Sequence, residues 1–266
     1  MERHLPRSFA LIAAASLLFL YAPILVLGAF SFNGGRLFHR WEGFSTSWYA
    51  KALANDGFRD AAINTLIVSA TATTLATILA TGAAIGLHGA SERQQRFATA
   101  LIGLPLVVPE IVMAIATLIL LSTVRSATGI DLGLGNLIIA HTTFCMPFAM
   151  MPIRAALRGI NPSVLTAAAD LYASSARTIV HVLLPLLMPA AGSGAALAFI
   201  VSFDDFAMSQ LVAGPGQTTL PVFIWAQLKR PLTPEINAMS TIMLVVSVAF
   251  ICLSMAVTAR GRTNSR

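Results

Sequence analysis

Three carboxylates, Glu110, Asp204 and Asp205, lie inside stretches that are otherwise apolar. An unpaired charge in lipid costs about 2.5–3.5 kcal/mol even on lenient insertion scales. Such groups belong on a water-filled path, against a partner subunit or against each other. Few basic residues are embedded with them, so the asymmetry favours a path for cations over one for anions. The alternative is that the acids sit at span ends and face headgroups.

Counted from residue 98, Glu110 falls roughly 18 Å along a helix, and Asp204 roughly 27 Å from Leu186. Neighbouring helical residues diverge by about 100°, so Asp204 and Asp205 cannot both point into one narrow lumen. One is expected to line the path and the other to pair with a neighbouring helix. Pro105 and Pro109 flank the approach to Glu110 and free backbone carbonyls there, which is tolerated where the chain faces protein or a polar cavity.

Other chemistries are not supported. There is no phosphate-binding Gly-rich loop ending in Gly-Lys-Ser/Thr, no His-Glu-x-x-His and no Gly-x-Ser-x-Gly elbow. The chain is not expected to be an enzyme. Ser202 beside Asp204 and Asp205 makes no triad. His141 reads as a hydrogen-bonding residue rather than a metal ligand. The five histidines form no ligand cluster, and no metal site is expected. Cys145 and Cys252 lie in apolar runs and read as small hydrophobes.

The elements that position the acids follow from composition. Of 266 residues, 56% are hydrophobic and only 11% charged, against about 25% charged in soluble domains. Mean hydropathy is +0.78. Six apolar segments, about 9–31, 61–87, 98–123, 135–157, 186–212 and 238–259, are each long enough to cross about 30 Å of hydrocarbon. They lack the period-two alternation of a barrel. An all-α polytopic membrane protein with six transmembrane helices and a lipid bilayer around it is expected. The first run reads as an uncleaved span, because Ala13, Ala14 and Ala15 come early in it.

The net charge of +6 lies in short gaps between the apolar runs and forms no basic stripe, so nucleic acid is not an expected partner. With a cytoplasmic N-terminus, the inner side holds ten basic residues, Arg3, Arg7, Arg93, Arg96, Arg154, Arg158, Arg177, Arg260, Arg262 and Arg266. The outer side holds seven, Arg36, Arg40, Lys51, Arg59, Arg125, Lys229 and Arg230. This excess puts both termini in the cytoplasm.

Three loops carry further signals. In 31–60, Trp41, Trp48 and Tyr49 suit a lipid–water interface or a docked partner. In 158–185, Asn161-Pro162 is a helix start. Val164, Ala168 and Leu171 share one face of that short helix; Ser174-Ser175 then weakens it, and a second piece from Arg177 runs into Pro185. In 213–237, Gly214-Pro215-Gly216 is a turn, and Pro221, Pro231 and Pro234 stiffen the rest. Gly192 and Gly194 thin the fifth span and allow close backbone approach.

Loop 158–185 resembles the membrane subunits of binding-protein-dependent ABC importers, in which Glu-Ala-Ala, then a glycine, then Leu-Pro mark the helix that docks on the ATPase. Here the matching residues are Thr166, Ala167 and Ala168, then Asp170, Leu171 and Tyr172, then Leu184 and Pro185. Thr166 stands where that family has the acid and Tyr172 where it has the glycine. Other stretches are similar to the spermidine/putrescine permease subfamily: Tyr21–Leu25, Ser31-Phe32-Asn33, Gly43–Thr46, Asn64-Thr65-Leu66, Pro109-Glu110-Ile111, Ser202–Phe206, Gly214–Gly216, Thr218–Pro221 and Thr233–Ala238.

The resemblance implies the type I ABC importer permease fold in a bacterial inner membrane, translocating polyamines (putrescine or spermidine). Implied partners are a second homologous permease in a heterodimer, a homodimeric ABC ATPase and a periplasmic solute-binding protein. No cofactor is expected in this chain; ATP and magnesium belong to the ATPase. The implied division is 1–60 for the first helix and periplasmic loop, 61–260 for the core with a coupling helix at about 161–173, and 261–266 for a cytoplasmic tail. Permeases for ferric ion, an opine or another cationic amine stay open, as does a structural or regulatory membrane protein without transport.

Overall fold

The computed structural model describes residues 7–37, 40–229 and 233–263. Arg3, His4, His39, Arg230, Pro231 and Arg266 of the sequence reading lie outside them, as do residues 264–266 of the tail. Among the described residues the structure is almost wholly helical, and six helical stretches are long and apolar enough to span a membrane. They are Leu11–Phe30, Asp56–His88, Glu110–Thr128, Gly135–Arg158, Ser175–Phe203 and Pro234–Cys252.

The helices are α1 (Arg7–Phe30), α2 (Ser47–Ala54), α3 (Asp56–His88), α4 (Glu92–Ile102), α5 (Glu110–Thr128), α6 (Gly135–Arg158), α7 (Pro162–Asp170), α8 (Ser175–Thr178), α9 (Leu184–Phe203), α10 (Ala207–Val212), α11 (Leu220–Gln227) and α12 (Pro234–Thr263).

Two compact units form. One runs up to Arg59 and takes in Phe223–Val245; the other is Asp60–Val222 with Val246 onward. Residues 223–245 thus group with the first unit.

In the first unit, α1 presents large apolar side chains to its surroundings, with Leu11 and Phe19 exposed. Such a helix, apolar all round, needs lipid or protein beside it. Loop 31–46 is built on one side chain. Asn33 Nδ2 donates to the carbonyls of Leu37 (3.0 Å) and Arg40 (2.6 Å). Its Oδ1 accepts from the Glu42 N–H (2.8 Å) and Gly35 N–H (3.3 Å). A buried amide with all four positions satisfied fixes the loop beside the single antiparallel bridge between Asn33 and Phe44.

The aromatic residues join this loop. Trp48 is 6% exposed and donates its Nε1–H to the Gly35 carbonyl at 3.2 Å. Lys51 Nζ lies 4.1 Å from the centre of the Trp48 ring. Tyr49 stacks obliquely on Phe32 and hydrogen-bonds Ser31 Oγ at 2.6 Å. Trp48 therefore does not belong to a lipid-facing belt; the chain's own loop buries it. Trp41 stays half exposed.

The second unit is organised by small residues. Ala61, Thr65, Ser69, Ala72, Thr73, Ala76, Ala80 and Ala84 recur at helical spacing on α3 and are all buried. A small-residue stripe lets backbones approach where lipid offers no hydrophobic drive for association. The core lies between α6 and α9, which pack along their length, with Leu137, Cys145, Ile153, Leu187 and Ala198 buried.

Gly194 is the closest point of that pair. A Cβ there would collide with the Ala149 carbonyl oxygen and come within 3.1 Å of Ala149 Cα. Gly192, two residues earlier, is exposed and faces away. Gly194→Ala is expected to push α9 off α6 at a cost of about 1–3 kcal/mol. The check is the thermal unfolding midpoint of the purified protein, which should fall; an unchanged midpoint would contradict the contact.

Two spans differ from the expected limits. The third does not run from 98. α4 ends at Ile102, Leu104–Leu106 form a 3₁₀ turn, and Pro109 precedes α5 in an extended conformation. Pro109 has no N–H to continue a helix and disfavours helical geometry at Val108. Glu110 therefore opens α5 and is not twelve residues into a continuous span.

The fifth span starts early, at Ser175, and ends at Phe203 rather than 212. Ser174 caps α8 through Oγ, and five residues, Ile179–Leu183, widen into π-helical geometry. That widening accommodates Pro185, which lacks a donor. Pro185 does not end a helix, contrary to the sequence expectation; it sits inside a continuous helical run.

Candidate functional site: an acidic break between helices

Asp204 and Asp205 occupy the short break between α9 and α10. Asp204 ends α9, its N–H bonded to the Ile200 carbonyl at 3.1 Å, and its side chain is exposed. Asp205 is 5% exposed. Its Oδ1 accepts the Ser209 N–H at 2.9 Å in the first turn of α10 and lies 3.6 Å from His141 Nε2 on α6. Oδ2 is buried without a hydrogen-bond donor among the described residues. Glu110, half-buried at the start of α5, lies beside the same carboxyl. Two acids thus meet in a polar break, and a third is open next to them. Among the described residues no arginine or lysine forms an ion pair with any of the three.

His141 closes the arrangement. Its Nδ1 contacts Ser202 Oγ at 2.8 Å and its Nε2 contacts Ser209 Oγ at 3.1 Å. The ring is 1% exposed. Both nitrogens are engaged by serines, and Asp205 shares the Nε2 side, so this is not the Ser–His–Asp order of a hydrolase. The group ties α6, α9 and α10 together. Sequence reasoning missed Ser209 and the clamping role of His141, because the partners lie 61 and 68 positions apart. No cluster of three or more metal-ligand side chains occurs among the described residues.

A second device holds loop 213–219 to α3. Asn64 Nδ2 donates to the carbonyls of Gly216 and Thr218, both at 3.1 Å, and Thr65 Oγ1 accepts the Leu220 N–H at 2.7 Å. Gly216 adopts a φ of 76° in the turn, where only glycine is free of a Cβ penalty. The separate sequence signals Asn64-Thr65-Leu66, Gly214–Gly216 and Thr218–Pro221 thereby meet at one place.

The loop expected to couple to an ATPase folds as α7. Asn161 caps it, Oδ1 accepting the Ser163 N–H at 3.0 Å, and Pro162 takes the first position. The shared face of Val164, Ala168 and Leu171 does not survive. Ala168 is buried against its own chain and Leu165 packs on the core, while Thr166, Ala167 and Asp170 are exposed. Ala168 therefore offers a docked partner little surface of its own.

The helix ends in paired bonds from Tyr172 N to Ala169 O (2.9 Å) and from Ala173 N to Ala168 O (3.0 Å), the Schellman pattern. It needs a left-handed residue at position 172, and Tyr172 supplies it with a φ of 55°. Leu171 and Tyr172 project outward, 81% and 94% exposed. Leu184 and Pro185 lie at the start of α9 and take no part in that tip, Leu184 half-buried and Pro185 exposed.

Residues 76–260 match the family described as "Binding-protein-dependent transport system inner membrane component". The chain is 38% identical over 243 residues to the spermidine/putrescine transport system permease protein PotC of Haemophilus influenzae, covering 91% of this chain and 93% of that protein. It is 38% identical over 230 residues to the putrescine transport system permease protein PotI of Escherichia coli, covering 85% and 82%. In fold it is similar to a chain of a bacterial ABC transporter involved in import of the acidic polysaccharide alginate, with a TM-score of 0.76, 17% identity and coverage of 96% and 94%.

Proposed function

Because the chain belongs to the family of inner membrane components of binding-protein-dependent transport systems, we infer that it is the membrane-spanning permease subunit of an ABC importer for polyamines. The relatives that match across most of its length are permeases named for spermidine and putrescine. The observation in the fold that carries the cationic substrate is the acidic break. Glu110 and Asp205 meet there, exposed Asp204 is the next residue in the chain, and no arginine or lysine among the described residues forms an ion pair with any of the three. An extended di- or polyammonium ion supplies the missing positive charge.

The protein performs no bond chemistry. A polyamine released from a periplasmic binding protein meets exposed Asp204 first and half-buried Glu110 next, while buried Asp205 holds the break together. Sites that attract weakly and in steps let the ion leave again. A second permease completes the path, and an ATPase docked on the α7 tip drives alternating access with ATP and magnesium. Both termini lie in the cytoplasm, in keeping with the ten-to-seven excess of basic residues on that side.

The test is uptake of labelled putrescine and spermidine by vesicles containing the full complex, with the binding protein in excess. Polyamine uptake that depends on this chain is expected. Uptake of ferric ion or an opine instead, with none of polyamines, would overturn the substrate while leaving the permease role.

A further inference from the structure

Away from the acidic break, α4 and the end of α6 border an open cleft of about 590 Å³. Arg154 and Arg158, one turn apart on α6, line it with Arg96, Glu92, Gln95 and Thr99 of α4. Arg96 is neutralised by Glu92 at 3.0 Å. Arg154 spends one donor on Thr99 Oγ1 at 2.6 Å, and that hydroxyl is oriented by the Gln95 carbonyl, also at 2.6 Å. Neither Arg154 nor Arg158 forms an ion pair with a described residue.

The cleft thus carries two uncompensated guanidiniums. Like charges one helical turn apart repel, and each guanidinium keeps several N–H donors in a planar fork suited to phosphate oxygens. The helix that walls the cleft is amphipathic. Glu92, Gln95, Arg96 and Thr99 share its cleft face, while Phe97 is 71% exposed and Leu101 56% exposed on another. Exposed Leu104 and Leu106 continue the apolar surface. That division is the signature of a helix lying in a membrane interface.

We propose that this cleft binds the phosphate headgroup of an anionic phospholipid, with Arg154 and Arg158 as its ligands and the Phe97–Leu101 face beneath its acyl chains. The placement is one turn before α7, so an occupied cleft braces the segment that leads into the coupling tip. The proposal rests on membrane embedding and not on which solute is carried.

The experiment uses the assembled complex in phosphatidylcholine nanodiscs with and without phosphatidylglycerol, and native mass spectrometry of the lipid retained after extraction. Retained phosphatidylglycerol is expected to fall about fivefold for each arginine removed in R154Q and R158Q and about 25-fold in the double variant. Arg93→Gln, on the same helix as Arg96 but outside the cleft, should leave it unchanged. If the double variant does not assemble, R158Q alone carries the test, because its side chain bonds no described residue.

Equal retention in wild type and R158Q would overturn the proposal. Displacement of the lipid by inorganic phosphate would reassign the site to a free anion. Loss of the ATPase from R158Q with lipid retained would reassign it to an acidic protein surface. Polyamine uptake is not read here, so each of these results leaves the transport reading standing.

Discussion

Replacing Asp204 with asparagine is expected to slow labelled polyamine uptake about tenfold while the amount of assembled complex stays at wild-type level. Asp204 is exposed and caps no neighbouring helix through its side chain, so its carboxylate is free to act on a passing cation. Loss of one charge at about 4 Å removes up to about 4 kcal/mol of attraction at an effective dielectric near 20. Only about 1.4 kcal/mol of that is needed for a tenfold effect.

Asp205→Ala should behave differently. It strips the acceptor from Ser209 N–H and from the side of His141, and an orphaned buried donor costs about 1–3 kcal/mol. The complex should assemble poorly, with uptake falling in proportion. Glu110→Gln should resemble Asp204→Asn. Uptake assays paired with quantitation of the complex decide the matter. Normal uptake by both Asp204→Asn and Glu110→Gln would remove the acids from the path. A parallel loss of complex in all three would make them structural.

Leu171→Asp is expected to detach the ATPase, weakening its retention about thirtyfold, as truncation of an interface anchor worth about 2 kcal/mol does. The residue is at the α7 tip and points away from its own chain, so the fold should be unaffected. Ala168→Glu is the contrasting variant. It places a carboxylate in a buried position without a partner, and membrane levels of the chain should fall before any effect on coupling is measurable.

Tyr172→Gly separates the two contributions of that residue. Removing the Cβ from a left-handed position should stabilise the helix end by about 1 kcal/mol, while removing the ring takes away its most exposed apolar surface. Lower ATPase retention together with a higher unfolding midpoint is the expected pair. ATPase pull-down and thermal unfolding on the same preparations read both. Full retention by Leu171→Asp would show that the tip does not dock.

The sequence by itself determined the number of spans, the start of α7 and the family. Long apolar runs must be helical in lipid, since only a helix satisfies its backbone within the segment, and hydropathy is a property of each stretch alone. Asn161-Pro162 was equally legible, because an N-cap bonds within two residues of itself. The embedded acids were visible as a violation of the same rule.

Burial was not legible, because it depends on partners far along the chain. Only the tertiary structure distinguished Asp205, held by Ser209 and beside His141, from its exposed neighbour Asp204. Only it turned Ala168 inward and left Leu171 and Tyr172 outside, on a helix whose spacing had put Ala168 and Leu171 on one face. Helical periodicity relates residues a turn apart but does not say which side another helix will cover. The same limit hid Asn33 and Asn64. An asparagine in a motif looks like loop composition until the carbonyls it binds, at Leu37 and Arg40 or at Gly216 and Thr218, are brought to it by the fold.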